Sequence, residues 1–204
     1  MANMSHELRT PLNSILILSE MLSDPNDSKL NEEQQEFARV INSSGQDLLT
    51  LINDILDLSK VEVGKLEVVF DEMNLSELPE LLHRNFDHVA KKKNIDFIIE
   101  KSKNVPDIFF TDEQRFQQIL KNLLSNAFKF TEKGSVSVQI KKADEENVAQ
   151  WIQTKGATNW VEIKVTDTGI GISKEKQKLI FEAFQQGDGA TMRKYGGTGL
   201  GLSI

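Results

Sequence analysis

Residues 5–12 of this 204-residue chain read Ser-His-Glu-Leu-Arg-Thr-Pro-Leu, and the proline decides how the first sixty residues are built. An N-cap at Thr10 with Pro11 at the first helical position is a legitimate helix start, and it would leave His6 on a tail. The apolar phase points the other way. Met4, Leu8, Leu12, Ile15, Leu18 and Leu22 recur at steps of four and three straight across Pro11, the spacing of one face of a continuous helix. The helix is therefore expected to run through, with His6 on its side. Pro11 cannot donate to the carbonyl of Glu7 and its ring crowds that carbonyl, so a bend is expected within that turn.

A breaker stretch, Asp24-Pro25-Asn26-Asp27-Ser28, separates this helix from a second stripe of Phe37, Ile41, Ser44, Leu48, Leu51, Ile55 and Leu58. Steps of four and three make that stripe a coiled-coil seam. Two such helices alone leave apolar stripes half exposed, so the expected arrangement is an antiparallel helical hairpin that pairs with another copy as a dimeric four-helix bundle.

After Gly64 the grammar changes. Leu66 to Phe70 reads as a strand, and Asn74-Leu75-Ser76-Glu77 as a capping box opening a helix. Further strands are expected at Ile95 to Glu100, Ile108 to Phe110, Ser135 to Ile140 and Val161 to Val165, with a helix from Arg115 to about Phe128. The polar stretch Asp144 to Asn159, interrupted by Trp151, reads as a long hairpin loop. Blocks of strands and helices point to an α+β fold, a sandwich with helices on one face of a sheet.

Composition narrows the function classes. A net charge of −7 argues against nucleic acid as the main partner, because phosphate backbones demand a basic surface. The absence of cysteine removes disulfides, thiolate nucleophiles and cysteine–zinc sites, and fits a reducing compartment. No apolar run reaches the roughly 20 residues that span a bilayer, and no signal peptide opens the chain. A soluble, cytoplasmic segment without membrane contact of its own is expected, compatible with a membrane-anchored parent.

Three polar stretches carry residues a core would not choose. Asn122 and Asn126 lie four apart and share a helix face, with Lys129 three further on. Their amide oxygens are hard, neutral ligands suited to a hydrated magnesium that also holds phosphates, although two asparagines on a helix are more often surface residues. Asp167-Thr168-Gly169-Ile170-Gly171 follows a strand. Its glycines permit close approach to a flat ligand, and its carboxylate can select an amino group such as that of adenine. By itself the stretch reads more readily as a strand-ending turn. Tyr195-Gly196-Gly197-Thr198-Gly199-Leu200-Gly201-Leu202 places glycines before an apolar helical run, which suggests a helix N-terminus offering N–H groups to phosphate. It lacks the Lys-Ser/Thr ending of a P-loop and sits too late for a dinucleotide fold. Upstream, Gly187 to Lys194 looks like a lid carrying Arg193 and Lys194, its entry anchored by Phe181 and Phe184.

Taken together and in this order, these stretches resemble the sensor histidine kinases of two-component systems. SHELRTPL is similar to the phosphoacceptor H-box, Asn122 to Lys129 to the N-box, and DTGIG to the first glycine box. FEAFQQ (181–186) is similar to the F-box, and GGTGLGL to the second glycine box. The similarity covers nearly the whole chain.

The resemblance implies a dimerisation and histidine-phosphotransfer hairpin over 1–65. It further implies a Bergerat-type ATP-binding domain over 66–204, truncated at its C-terminus because family members continue further. It implies His6 as phosphoacceptor and Glu7 as its base or hydrogen-bond partner. Thr10, one turn beyond His6 on the same face, would take part in dephosphorylating a response-regulator receiver domain. Asn126, with Asn122 beside it, would hold Mg2+, and Lys129 would approach the phosphates of ATP. Asp167 would recognise adenine, with Gly169 and Gly171 allowing close approach. Arg193, Lys194, Tyr195, Gly197, Thr198, Gly199 and Gly201 would form the lid and the phosphate end. Two rival readings are another ATPase of the same nucleotide fold and a phosphotransfer or dimerisation scaffold whose nucleotide site has lapsed.

Overall fold

A computed structural model of the chain describes residues 2–24, 30–143, 160–177 and 179–181, apart from the side chains of residues 2–7 and 62. The chain divides into two compact units, one running to Leu66 and the other starting at Glu67.

In the first unit, helix α1 spans Ala2–Ser23 and contains Pro11, so the helix does run through the proline. Helix α2 spans Glu32–Glu62 and is started by a capping box the sequence reading did not anticipate. Asn31 Oδ1 accepts from Gln34 N at 2.9 Å and Gln34 Oε1 accepts from Asn31 N at 3.1 Å, so two otherwise unpaired ends are satisfied reciprocally. The helices pack through Leu12, Leu16 and Ser19 of α1 and through Ala38 of α2, all buried. Gly45 belongs to the same line, since a β-carbon there would lie 2.7 Å from Leu16 Cδ2. Asn42 donates to the Leu16 carbonyl at 2.9 Å and to Ser19 Oγ at 3.1 Å, which fixes the register. Of the two expected stripes Leu12 is buried and Leu51 and Leu58 are half-buried, whereas Leu8, Ile15, Leu18, Phe37, Ile41 and Leu48 remain exposed.

The second unit contains β1 (Asp71–Asn74), α3 (Leu78–Lys93), β2 (Ile95–Lys101), β3 (Ile108–Thr111), α4 (Glu113–Phe130), β4 (Gly134–Lys142), β5 (Val161–Asp167) and a 3-10 turn, Leu179–Phe181. Strands β1 and β3 form an antiparallel ribbon, Asp71 opposite Thr111. The main sheet has the order β2-β4-β5. Its β2 and β4 run parallel, with Ile95 opposite Gly134, and β4 and β5 run antiparallel, with Val136 opposite Asp167. Alternation on β4 buries Val136, Val138 and Ile140 on one face. Against that face α3 sets Leu78, Leu82, Phe86 and Ala90, and α4 sets Leu120, Leu124, Ala127 and Phe128. Each fully buried Leu or Val contributes about 1.5–3 kcal/mol relative to exposure. The α+β expectation, helices over one face of a sheet, is met in this layering.

Two local expectations are corrected. The stretch Leu66 to Phe70 is not a strand, because pairing begins at Asp71 and the Val69 N–H is taken by Asp112 Oδ2 at 3.0 Å. The Asn74–Glu77 capping box does not form either. Asn74 Oδ1 accepts from Ser76 N and its amide donates to Glu77 Oε1, making a turn, while α3 starts one residue after Glu77 with no side-chain cap. Pro79 in the first turn starts the helix instead. The stretch Asp144 to Asn159 with Trp151, expected as a hairpin loop, lies outside the described residues.

Candidate nucleotide site

The site is assembled where the C-terminus of α4 meets the turn after β5. Asp112 starts α4: its Oδ1 accepts from Arg115 N at 3.0 Å while its Oδ2 holds Val69 N. These backbone hydrogen bonds, that from Arg115 first, keep the carboxyl below the ordinary aspartate range. Asn122 and Asn126 follow on α4, four apart and both half-buried. Lys129 lies in the last turn, its ammonium 5.2 Å from the centre of the Phe130 ring, and partial burial pushes its pKa down.

Asp167 ends β5 and is exposed, with Oδ1 accepting from Gly169 N at 2.8 Å. That turn drives the backbone directly against α4. A β-carbon on Gly169 would lie 2.5 Å from the Phe130 carbonyl oxygen, and Ile170 N donates to the same oxygen at 3.4 Å. Gly171 has φ +68°, a left-handed conformation that favours glycine. Thr168, which the sequence reading passed over, locks the turn to the start of β4. Its Oγ1 accepts from Ser135 N at 3.0 Å, and its N–H donates to Ser135 O at 3.1 Å. The structure thus seats Gly169 and Ile170, in the turn that follows Asp167 and precedes Gly171, against the end of the helix that carries Asn126 and Lys129.

His6 and Glu7 lie in α1, their side chains outside those described, and Thr10 is exposed on the next turn of that helix. Arg193, Lys194, Tyr195, Gly197, Thr198, Gly199, Gly201 and Phe184 lie outside the described residues. Phe181 closes the 3-10 turn and is exposed.

The donor set can be tested against a metal. Among the described residues no three His, Asp or Glu side chains group to hold an ion. Two amide oxygens on one helix face fit magnesium, which keeps several waters and is held jointly by few protein ligands and substrate phosphates. No helix among the described residues is long and apolar enough to cross a membrane.

Two family models match the chain. Residues 1–64 match the family model described as the His Kinase A (phospho-acceptor) domain, and residues 111–204 match the one described as Histidine kinase-, DNA gyrase B-, and HSP90-like ATPase. The autoinducer 2 sensor kinase/phosphatase LuxQ of Vibrio cholerae is 40% identical over the whole chain, which spans 22% of that protein. The hybrid signal transduction histidine kinase K of Dictyostelium discoideum is 41% identical over the whole chain, which spans 16% of it. Among solved structures, full-length ShkA in complex with AMPPNP aligns with a TM-score of 0.75 at 32% identity, over 99% of this chain and 38% of that one.

Proposed function

The chain belongs to the sensor histidine kinases of two-component systems and corresponds to their kinase core, and from this we propose that it uses ATP to phosphorylate His6 and then passes the phosphoryl group to an aspartate of a receiver domain. The observation that carries the proposal is the junction of α4 with the Asp167–Gly171 turn. It presents a carboxylate for an amino group, a backbone without side-chain bulk for a flat ring, and amide and ammonium groups for magnesium and phosphates. A neutral imidazole is a competent nucleophile near pH 7, its reference pKa being about 6.5. As a phosphoryl group arrives at one ring nitrogen, the other must share its proton, the role proposed for Glu7. The family ATPase domain and the AMPPNP-bound ShkA support ATP as donor. Magnesium, held by Asn126 with Asn122 beside it, would neutralise phosphate charge during transfer. Arg193, Lys194, Tyr195, Gly197, Thr198, Gly199 and Gly201, which lie outside the described residues, are proposed to bind the phosphates of ATP.

The same family membership supports a homodimer, and the exposed seam of Phe37, Ile41 and Leu48 gives it a surface. Thr10 is proposed to orient water when the partner's phosphoaspartate is hydrolysed. Thr10→Ala is expected to slow receiver dephosphorylation while sparing labelling of His6, and an unchanged rate would remove that role. The first test of the site is magnesium-dependent binding of AMPPNP to the full chain. Micromolar binding that Asn126→Ala abolishes is the expected result, and no binding would leave a lapsed scaffold.

A further inference from the structure

An α-helix ends with four carbonyls that have no partner in the body of the helix, and at the end of α4 these belong to residues 127–130. The Ala127 carbonyl is closed by Thr131 N at 3.1 Å, and that of Phe130 receives Ile170 N from the glycine turn. The two between them are served by one side chain from another element. Lys93 Nζ donates to the Phe128 carbonyl and approaches that of Lys129 at 3.5 Å. A lysine suits this place: it brings three donors and a positive charge to the negative end of a helix.

The fold explains how Lys93 reaches across. It is the last residue of α3, and Asn94, left-handed at φ 53°, turns the chain at once into β2. The first residue of β2, Ile95, pairs with Gly134, just past the end of α4. Phe86 of α3 stacks on Phe128 with centroids 5.6 Å apart and planes at 10°, and Phe97 of β2 meets the same ring edge-on at 5.2 Å. The ends of α3 and α4 are thereby held side by side on an aromatic floor.

We propose that Lys93 is a positioning residue for the nucleotide site, tying down the last turn of α4 so that Lys129 and Asn126 on one side, and the Asp167–Gly171 turn on the other, keep their spacing. The inference rests on the nucleotide reading of that junction. Without the ammonium the last turn frays, and the Phe130 carbonyl that seats Gly169 and Ile170 moves with it. Both the adenine end and the phosphate end therefore loosen. Once nucleotide is bound, its own contacts restore the spacing, so the cost falls on affinity and not on the transfer step.

The full chain carrying Lys93→Met, Lys93→Gln, Lys93→Arg or the neighbouring control Lys92→Met tests this, with magnesium–AMPPNP and adenosine as the two probes. Lys93→Met is expected to weaken both probes about tenfold, the scale of losing a charged hydrogen bond. Lys93→Gln, which keeps donors without the charge, loses less and serves if the Met variant does not fold. Lys93→Arg restores binding and Lys92→Met leaves it unchanged. The autophosphorylation KM for ATP rises in step while kcat stays within about twofold. Unchanged affinity in the Met and Gln variants overturns the inference. So does a loss confined to AMPPNP, which would place Lys93 on the phosphates themselves. A wild-type chain that binds neither probe overturns the nucleotide reading instead, so the two failures are told apart.

Discussion

In the hairpin, Leu8, Ile15, Leu18, Phe37, Ile41 and Leu48 stay exposed, and the contact between the helices is made by Leu12, Leu16, Ala38, Gly45 and the Asn42–Ser19 pair. In the second unit a core closes over Leu75, Leu124, Val136, Val138 and Ile140, which have no accessible surface at all, while Phe70, Phe110 and Ile170 stay exposed. The hairpin is joined by a narrow line of buried residues and leaves many large side chains exposed, while the second unit builds a closed core that holds a helix end against a glycine turn. Identical apolar content can thus serve association in one place and preorganisation in the other.

The sharpest way to break that contrast is to empty the closed core. Leu124→Ala is expected to destabilise the second unit by about 2–5 kcal/mol, read by denaturant unfolding, with nucleotide binding lost together with the fold. A cost under 1 kcal/mol would mean that this core is not closed around α4. The hairpin should respond differently. Ile41→Glu with Leu48→Glu changes side chains that are about half exposed and leaves the buried Leu12, Leu16 and Ala38 in place, so helix content should persist by circular dichroism. If the proposed dimer forms through this seam, light scattering should show a dimer for the wild type and a monomer for the variant, and a persistent dimer would show that the seam is not the interface.

Gly169→Ala probes the junction more finely. The β-carbon would meet the Phe130 carbonyl oxygen at 2.5 Å, a backbone atom that cannot swing aside, so the turn must move off α4. AMPPNP affinity is expected to fall about tenfold while the melting temperature drops by only a few degrees. The smallest effect concerns Asp112. Its pKa is held below the ordinary 3.8 by hydrogen bonds from Arg115 and Val69, so its stabilisation is present above about pH 3.8 and is lost as pH falls through the lowered value. Asp112→Asn should therefore melt lower than wild type at neutral pH, and the gap should close as pH drops below 4. A constant gap across that range would assign the effect to shape and not to charge.

Much of this was legible in the sequence because its signals are local. The four-and-three rhythm across Pro11, the alternation on β4 and the Asp-Thr-Gly order after β5 each declare themselves within a dozen residues. What was not legible depends on distant partners. Nothing near Val69 says that its N–H goes to Asp112, 43 residues away, so an apolar run that looked like a strand became a linker. Lys93 was similarly hidden among three lysines at a helix end, since its partner Phe128 lies 35 residues on. The hairpin stripe was read correctly as apolar, but which of its residues face the sister helix was decided by the small ones, Ala38 and Gly45, that a hydrophobic pattern passes over. Asp112 was within reach, because an aspartate just before a helix is an N-cap signal.

The central claim is that ATP bound at the α4 junction supplies a phosphoryl group to His6. The most direct measurement is incubation of the full chain with magnesium and ATP labelled on its γ-phosphate, followed by acid and alkali treatment of the product. The expected label survives alkali, is lost in acid, and is absent from both His6→Ala and Asn126→Ala. A label that persists in His6→Ala, or that resists acid, would contradict the claim.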